Sequence, residues 1–190
     1  TFEVERGKTD VIMGPSGIGK SVTLKHVVGI LSPDEGRVVV DGIEPYTLRP
    51  KALRSFRKHI GYLFQDGALI NWLSVFDNVA LPLRETWRLK EHEVVPRVRE
   101  ALARVALKES DHHKMPSDLS GGMRRRVGLA RAIVTEPRII LYDEPNAGLD
   151  PHIARQINAL IRQIQKDLEV TSIVVTHRAA RLNDRRNTML

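Results

Sequence analysis

Cysteine is absent from the 190 residues, so neither a disulfide nor a thiolate metal site is available, and any bound metal must take oxygen or imidazole ligands. Runs of 18 or more apolar residues are also missing, which argues against a membrane-spanning helix. The opening stretch TFEVERGKTDV lacks the basic-then-apolar layout of a secretory signal. The expectation is a chain that neither spans a membrane nor leaves the cytosol by its own signal. Internal repeats, low-complexity segments and coiled-coil heptads are likewise missing. What is present is a chain 42% hydrophobic and 28% charged, with enough apolar side chains for one domain with a sizeable core. Its net charge of +7 suits nucleic acid, an anionic membrane surface or nucleotide phosphates, and charge alone does not choose among them.

Short β-rich runs occur at Val11 to Met13, Val38 to Val40, Tyr62 to Phe64, Ile139 to Tyr142 and Ser172 to Val175. Several are too apolar to be one-sided, which predicts a sheet covered on both faces. Between them lie helical stripes: Val94, Val98, Leu102 and Val105; Met123, Val127, Ala130 and Val134; Ile153, Ile157, Leu160, Ile161, Ile164 and Leu168. Strand and helix alternate, the pattern of an α/β fold with a mostly parallel sheet. The stretch 66–136 reads as helices and loops punctuated by Pro82, Pro96 and Pro116. It is expected to be a helical subdomain inserted into a core made of 1–65 and 137–190.

Gly14-Pro15-Ser16-Gly17-Ile18-Gly19-Lys20-Ser21 matches G-x-x-x-x-G-K-[ST] and stands between a strand and a helix, where such a loop must stand. The glycines let the backbone turn so that successive N–H groups face phosphates at the positive end of the helix dipole. Lys20 then reaches the β- and γ-phosphates, and Ser21 offers its hydroxyl to Mg²⁺. Further on, the apolar run Ile139 to Tyr142 ends in Asp143 and Glu144, whose side chains alternation sends in different directions. Either they cap a strand, or Asp143 holds Mg²⁺ while Glu144 polarises the water that attacks the γ-phosphate. Leu119-Ser120-Gly121-Gly122-Met123 opens a helix with Ser120 as N-cap and two glycines that leave its end bare enough for an anion. A second phosphate site in one small domain makes sense if it completes the pocket of a partner subunit.

In this order GPSGIGKS, Gln65 after YLF, LSGGM, ILYDE, Ala147 to Asp150 (AGLD) and His177 after IVVT resemble the motif set of ABC ATPases, whose core is a P-loop NTPase of the RecA-like kind. The resemblance covers nearly the whole chain. It implies that Gln65 links Mg²⁺ or the attacking water to the helical subdomain, that Asp150 makes contacts across a dimer, and that His177 touches the γ-phosphate. It implies Mg-ATP as substrate complex, a homodimer or paired ATPase subunit with Ser120, Gly121 and Gly122 acting in trans, and transmembrane permease subunits. The expected place is then peripheral, on the cytoplasmic side of the inner membrane. Within the family, Phe64 to Glu85 and Lys114 to Ile133 are similar to ATPases of Mla/Mce-type phospholipid transport. In the first of these, Ile70, Trp72, Leu73, Val75 and Phe76 either receive a coupling helix or form the subdomain's own core, with about half expected in the core.

Family members carry an adenine-stacking aromatic upstream of the phosphate loop and an aspartate after the switch histidine; this chain begins late and has Arg178. Truncation at both ends is the expectation. Phe2 is assigned to core packing on a strand leading into Arg6-Gly7. His112-His113 and His92 lack metal-ligand spacing and are read as solvated. Arg124-Arg125-Arg126 are read as a solvated or dimer-facing helix surface and Arg185-Arg186 as a solvated tail, with no nucleic-acid partner expected because no aromatics interleave. The competing functions are a soluble ABC ATPase acting on nucleic acid or the ribosome, and an incomplete nucleotide-binding fragment with little turnover.

Overall fold

The computed structural model describes residues 2–177 and the backbone of 187–189, so Arg178 and Arg185-Arg186 lie outside the described residues. Its strands are β1 (Thr9–Met13), β2 (Ile60–Leu63), β3 (Ile139–Asp143), β4 (Thr171–Thr176) and β5 (Asn187–Met189), paired in the order β2-β3-β4-β1-β5. Every pairing is parallel. The helices are α1 (Lys20–Val27), α2 (Pro50–Arg57), α3 (Val75–Leu81), α4 (Glu91–Arg104), α5 (Gly121–Ile133) and α6 (Pro151–Leu168). Between β2 and β3 the described residues hold α3, α4 and α5 and no strand.

The apolar runs are continuous because alternate residues enter two different cores. Val11, Met13, Ile140, Tyr142 and Val174 join the larger core, which draws on α3 to α6 through residues such as Val79, Leu102, Leu129 and Ile161. Ile12, Leu141, Ile173 and Val175 face the opposite way, against Leu24, Val27 and Val28. Each fully buried aliphatic side chain stabilises this arrangement by about 1.5–3 kcal/mol over its exposed state, before entropy is charged against it.

Register then positions the loops. Met13 lies opposite Thr176, Asp143 opposite Val175, and Leu63 opposite Tyr142. In a parallel sheet, residues that follow such aligned strand ends emerge at one edge. Gly14, Glu144 and His177 therefore share a rim, and the Glu144 N–H extends the ladder to the Val175 carbonyl at 2.9 Å.

Helix α5 packs on β2 almost backbone to backbone. A Cβ on Gly61 would collide with the Ala132 carbonyl, and one on Gly128 would stand 2.8 Å from the Gly67 Cα. Four expectations are corrected in this frame. Val38 to Val40 form no strand: their backbone closes on itself through a Val40–Ile43 bridge around Asp41 and Gly42, both at positive φ, while Val38 and Val40 lean on the second core. Phe2 is 39% exposed and residues 2–5 join no strand, so it packs in neither core. The helix arginines are not a solvated surface. Arg125 is buried, Arg124 bonds the Leu119 carbonyl, and Arg126 bonds the Val105 carbonyl and Gln156, because neighbouring loops turn carbonyl oxygens toward α5. His112 is also buried, and burial lowers its proton affinity; its backbone carbonyl accepts from Phe76, which pins that loop under α3.

Gly128→Ala tests the backbone contact. Helix propensity favours alanine by about 1 kcal/mol, but the added methyl meets backbone, which cannot rotate away. The expected result in urea denaturation is a net loss of about 1–3 kcal/mol; equal or higher stability would show that α5 can move off β2.

Candidate functional site: a phosphate loop facing two carboxylates

Gly14 leaves β1 and the chain turns back through Gly17 (φ 85°) and Gly19 (φ 98°) into α1. No atom lies within 4 Å of where a Cβ would stand on either, so the left-handed backbone, not crowding, selects glycine here. Pro15, Ser16, Gly17 and Ile18 are exposed, and Gly19 caps α1 without any side-chain hydrogen bond. The first turn of α1 thus faces the loop with only backbone donors.

Lys20 curls into this loop and is 5% exposed. Its Nζ donates to the carbonyl oxygens of Gly14 (2.9 Å) and Pro15 (3.0 Å) and lies 3.5 Å from Glu144 Oε1. The other oxygen of Glu144 accepts from the His177 backbone N–H (3.3 Å) and lies 2.8 Å from His177 Nδ1. Glu144 itself has φ 48°, a left-handed conformation that costs a non-glycine residue about 1–3 kcal/mol. The preceding carboxylate points elsewhere. Asp143 Oδ1 accepts the Ser21 hydroxyl at 2.7 Å, and Oδ2 accepts the Tyr62 hydroxyl at 3.2 Å. Burial, reinforced by the Asp143 charge, pushes the Tyr62 ionisation far up, so that hydroxyl keeps its proton and remains a donor.

Lys20, Ser21, Asp143, Glu144 and His177 thus form one connected set. Ser21 and Asp143 together present hard oxygen donors at a partly buried position, a donor set that fits Mg²⁺. Gln65 stands outside this set, exposed at the start of a turn whose next residue, Asp66, has φ 59°. Ser120 caps α5 by accepting the Met123 N–H (3.3 Å), and it too stays exposed and apart. Gly122 has a packing role that its motif does not announce: a Cβ there would stand 2.7 Å from Ile153 Cγ2 on α6. Asp150 caps α6 by accepting the N–H groups of His152 (2.9 Å) and Ile153 (3.0 Å), and the Ile153 bond leads the interactions that hold its carboxyl below the usual range.

Two residues escape sequence reasoning. Tyr62 could have been flagged only as a polar-tipped aromatic within an apolar strand. Arg125, 1% exposed, bridges Asp66 Oδ1 (3.0 Å) and the Ala147 carbonyl (2.7 Å), while its Nε and Nη1 have no hydrogen-bond partner among the described residues. One buried cation thereby ties α5 to the turn after Gln65 and to the loop after Glu144.

Residues 1–147 match the family described as ABC transporter. The chain is 45% identical over 177 residues to the probable ribonucleotide transport ATP-binding protein mkl of Mycobacterium tuberculosis, covering 93% of this chain and 49% of that protein. It is 45% identical over 176 residues to the intermembrane phospholipid transport system ATP-binding protein MlaF of Haemophilus influenzae, covering 93% and 66%. The chain thus spans about half to two thirds of the length of these relatives. Among solved structures, the dimeric ATP-binding cassette MJ0796 in a post-hydrolysis state bound to ADP and Pi superimposes with a TM-score of 0.84 at 36% identity, covering 93% of this chain and 78% of that one.

The ion pair inside the loop yields a stability prediction. Lys20→Met strips Glu144 of its ammonium partner in a largely buried site and is expected to cost about 1–3 kcal/mol without nucleotide, by urea denaturation. Combined with Glu144→Gln, the two losses should fall short of additivity by at least about 0.5 kcal/mol. Strict additivity would mean the two groups do not interact.

Proposed function

The chain belongs to the ABC transporter family, and from that premise we propose that it binds and hydrolyses ATP to drive a separate membrane permease. The observation that carries this reading is the divergence of the two carboxylates, Asp143 toward Ser21 and Glu144 toward Lys20 and His177. Adjacent acids with separate partners can do separate work.

In this reading the backbone donors of residues 14–19 and the Lys20 ammonium hold the β- and γ-phosphates. Ser21 and Asp143 would hold Mg²⁺, with Gln65 joining them once its exposed turn closes on the nucleotide, and the ion would neutralise phosphate charge. When Lys20 turns from Glu144 to phosphate, the Glu144 carboxylate is released to orient and deprotonate the attacking water, while His177 reaches the γ-phosphate. The exposed N-terminus of α5, with Ser120, Gly121 and Gly122, contacts the nucleotide of a second subunit, and Asp150 lies at the same dimer face. The dimeric neighbour bound to ADP and Pi supports both halves of this account.

The permease would dock on the segment from Phe64 to Glu85. There Trp72 is 80% exposed, Ile70 and Leu73 are half-buried, and Val75 is fully buried in the core. A groove of about 430 Å³ opens beside it, lined by Phe64, Ile70, Trp87 and the cations Arg57, Lys58 and Arg131. In this reading the ATPase works against the cytoplasmic side of the inner membrane; no helix among the described residues is long and apolar enough to cross a membrane. A phospholipid or other hydrophobic cargo is the reading we favour, supported by the name of the MlaF relative, whereas mkl is named for ribonucleotides.

The test is steady-state ATP hydrolysis with Mg²⁺ across a range of protein concentration. The rate should rise faster than linearly, and Glu144→Gln should lower turnover by roughly 10²-fold or more while ATP still binds. Lys20→Ala should lose binding itself. Undiminished turnover in Glu144→Gln would overturn the assignment.

A further inference from the structure

We propose that Tyr62 is a positioning residue for the metal-binding carboxylate: its hydroxyl fixes the second oxygen of Asp143, so that Asp143 meets Mg-ATP in one orientation. The inference rests on the proposed role of Asp143. A carboxylate attached at a strand end turns about its side-chain bonds unless both oxygens are held. Here both are, Oδ1 by Ser21 on α1 at 2.7 Å and Oδ2 by Tyr62 on β2 at 3.2 Å. The two donors come from different elements, so no single local shift releases the group.

Tyr62 is itself held. Its ring stacks on Phe64 at 4.1 Å between centroids and 22° between planes. Its strand cannot retreat, because Gly61 abuts the Ala132 carbonyl of α5 on one side and β2 pairs with β3 on the other, Tyr62 standing opposite Leu141. A carboxylate offers about four lone-pair positions, so two anchors still leave positions for a metal or its water. Groups that orient a metal-binding carboxylate in this way typically alter metal affinity about 10- to 100-fold when removed. Tyrosine suits the task because its ring gives a rigid reach to the carboxylate.

The test uses Mn²⁺ as probe, in the Glu144→Gln background with ATP, the protein in excess over nucleotide. Free Mn²⁺ is read from its electron paramagnetic resonance signal, and thermal melting is recorded for each variant. Tyr62→Phe, which deletes only the hydroxyl, is expected to weaken Mn²⁺ binding about tenfold, and Asp143→Asn more. If Asp143→Asn weakens binding and Tyr62→Phe does not, the proposal fails while the role of Asp143 stands. A lower melting temperature in Tyr62→Phe with unchanged Mn²⁺ affinity also overturns it, since the hydroxyl would then serve the fold alone. If neither variant changes Mn²⁺ affinity, the underlying role of Asp143 fails as well.

Discussion

The parallel register of β1, β4 and β3 is the constraint on which everything else depends. Because Met13 pairs with Thr176 and Asp143 with Val175, three loops leave the sheet at one rim. A slip of one residue in any pair would send its side chains to the wrong face. The register is itself enforced by burial. Each of these strands feeds two cores, so a slipped strand would trade Ile12 for Val11, or Leu141 for Tyr142, in pockets of the wrong shape.

The layout of the sheet was largely legible in the sequence for the same reason. Unbroken apolar runs mean strands covered on both faces, and four of the five β-rich runs fall on strands of the sheet, Phe64 alone lying just past the end of β2. Val38 to Val40 misled because β-branched composition reports fitness for a pleated surface, not the presence of a neighbour to pair with. Phe2 misled likewise. The stripes on α4, α5 and α6 were readable because helical spacing leaves one face apolar, and Val98, Val127 and Ile157 are fully buried.

At the site, the motifs located the residues that the rim gathers, Lys20, Ser21, Asp143, Glu144 and His177, because their spacing follows from strand ends. What they could not reveal were contacts made between distant elements. Arg125 looks like one of three surface cations, and only the fold shows carbonyl and carboxylate groups converging on it from two loops. Gly122 reads as room for an anion, yet Ile153 also demands that it lack a side chain. Asp150 reads as a contact across subunits, yet in the single chain its charge is already used by the two amides that begin α6.

The Lys20 ammonium sits among oxygens of its own chain, two carbonyls and a carboxylate. Under the proposed function, an arriving triphosphate does not solvate a naked cation; it exchanges one oxygen shell for another. The same exchange sets free the Glu144 carboxylate, so occupancy of the loop and arming of the water-activating base become a single event.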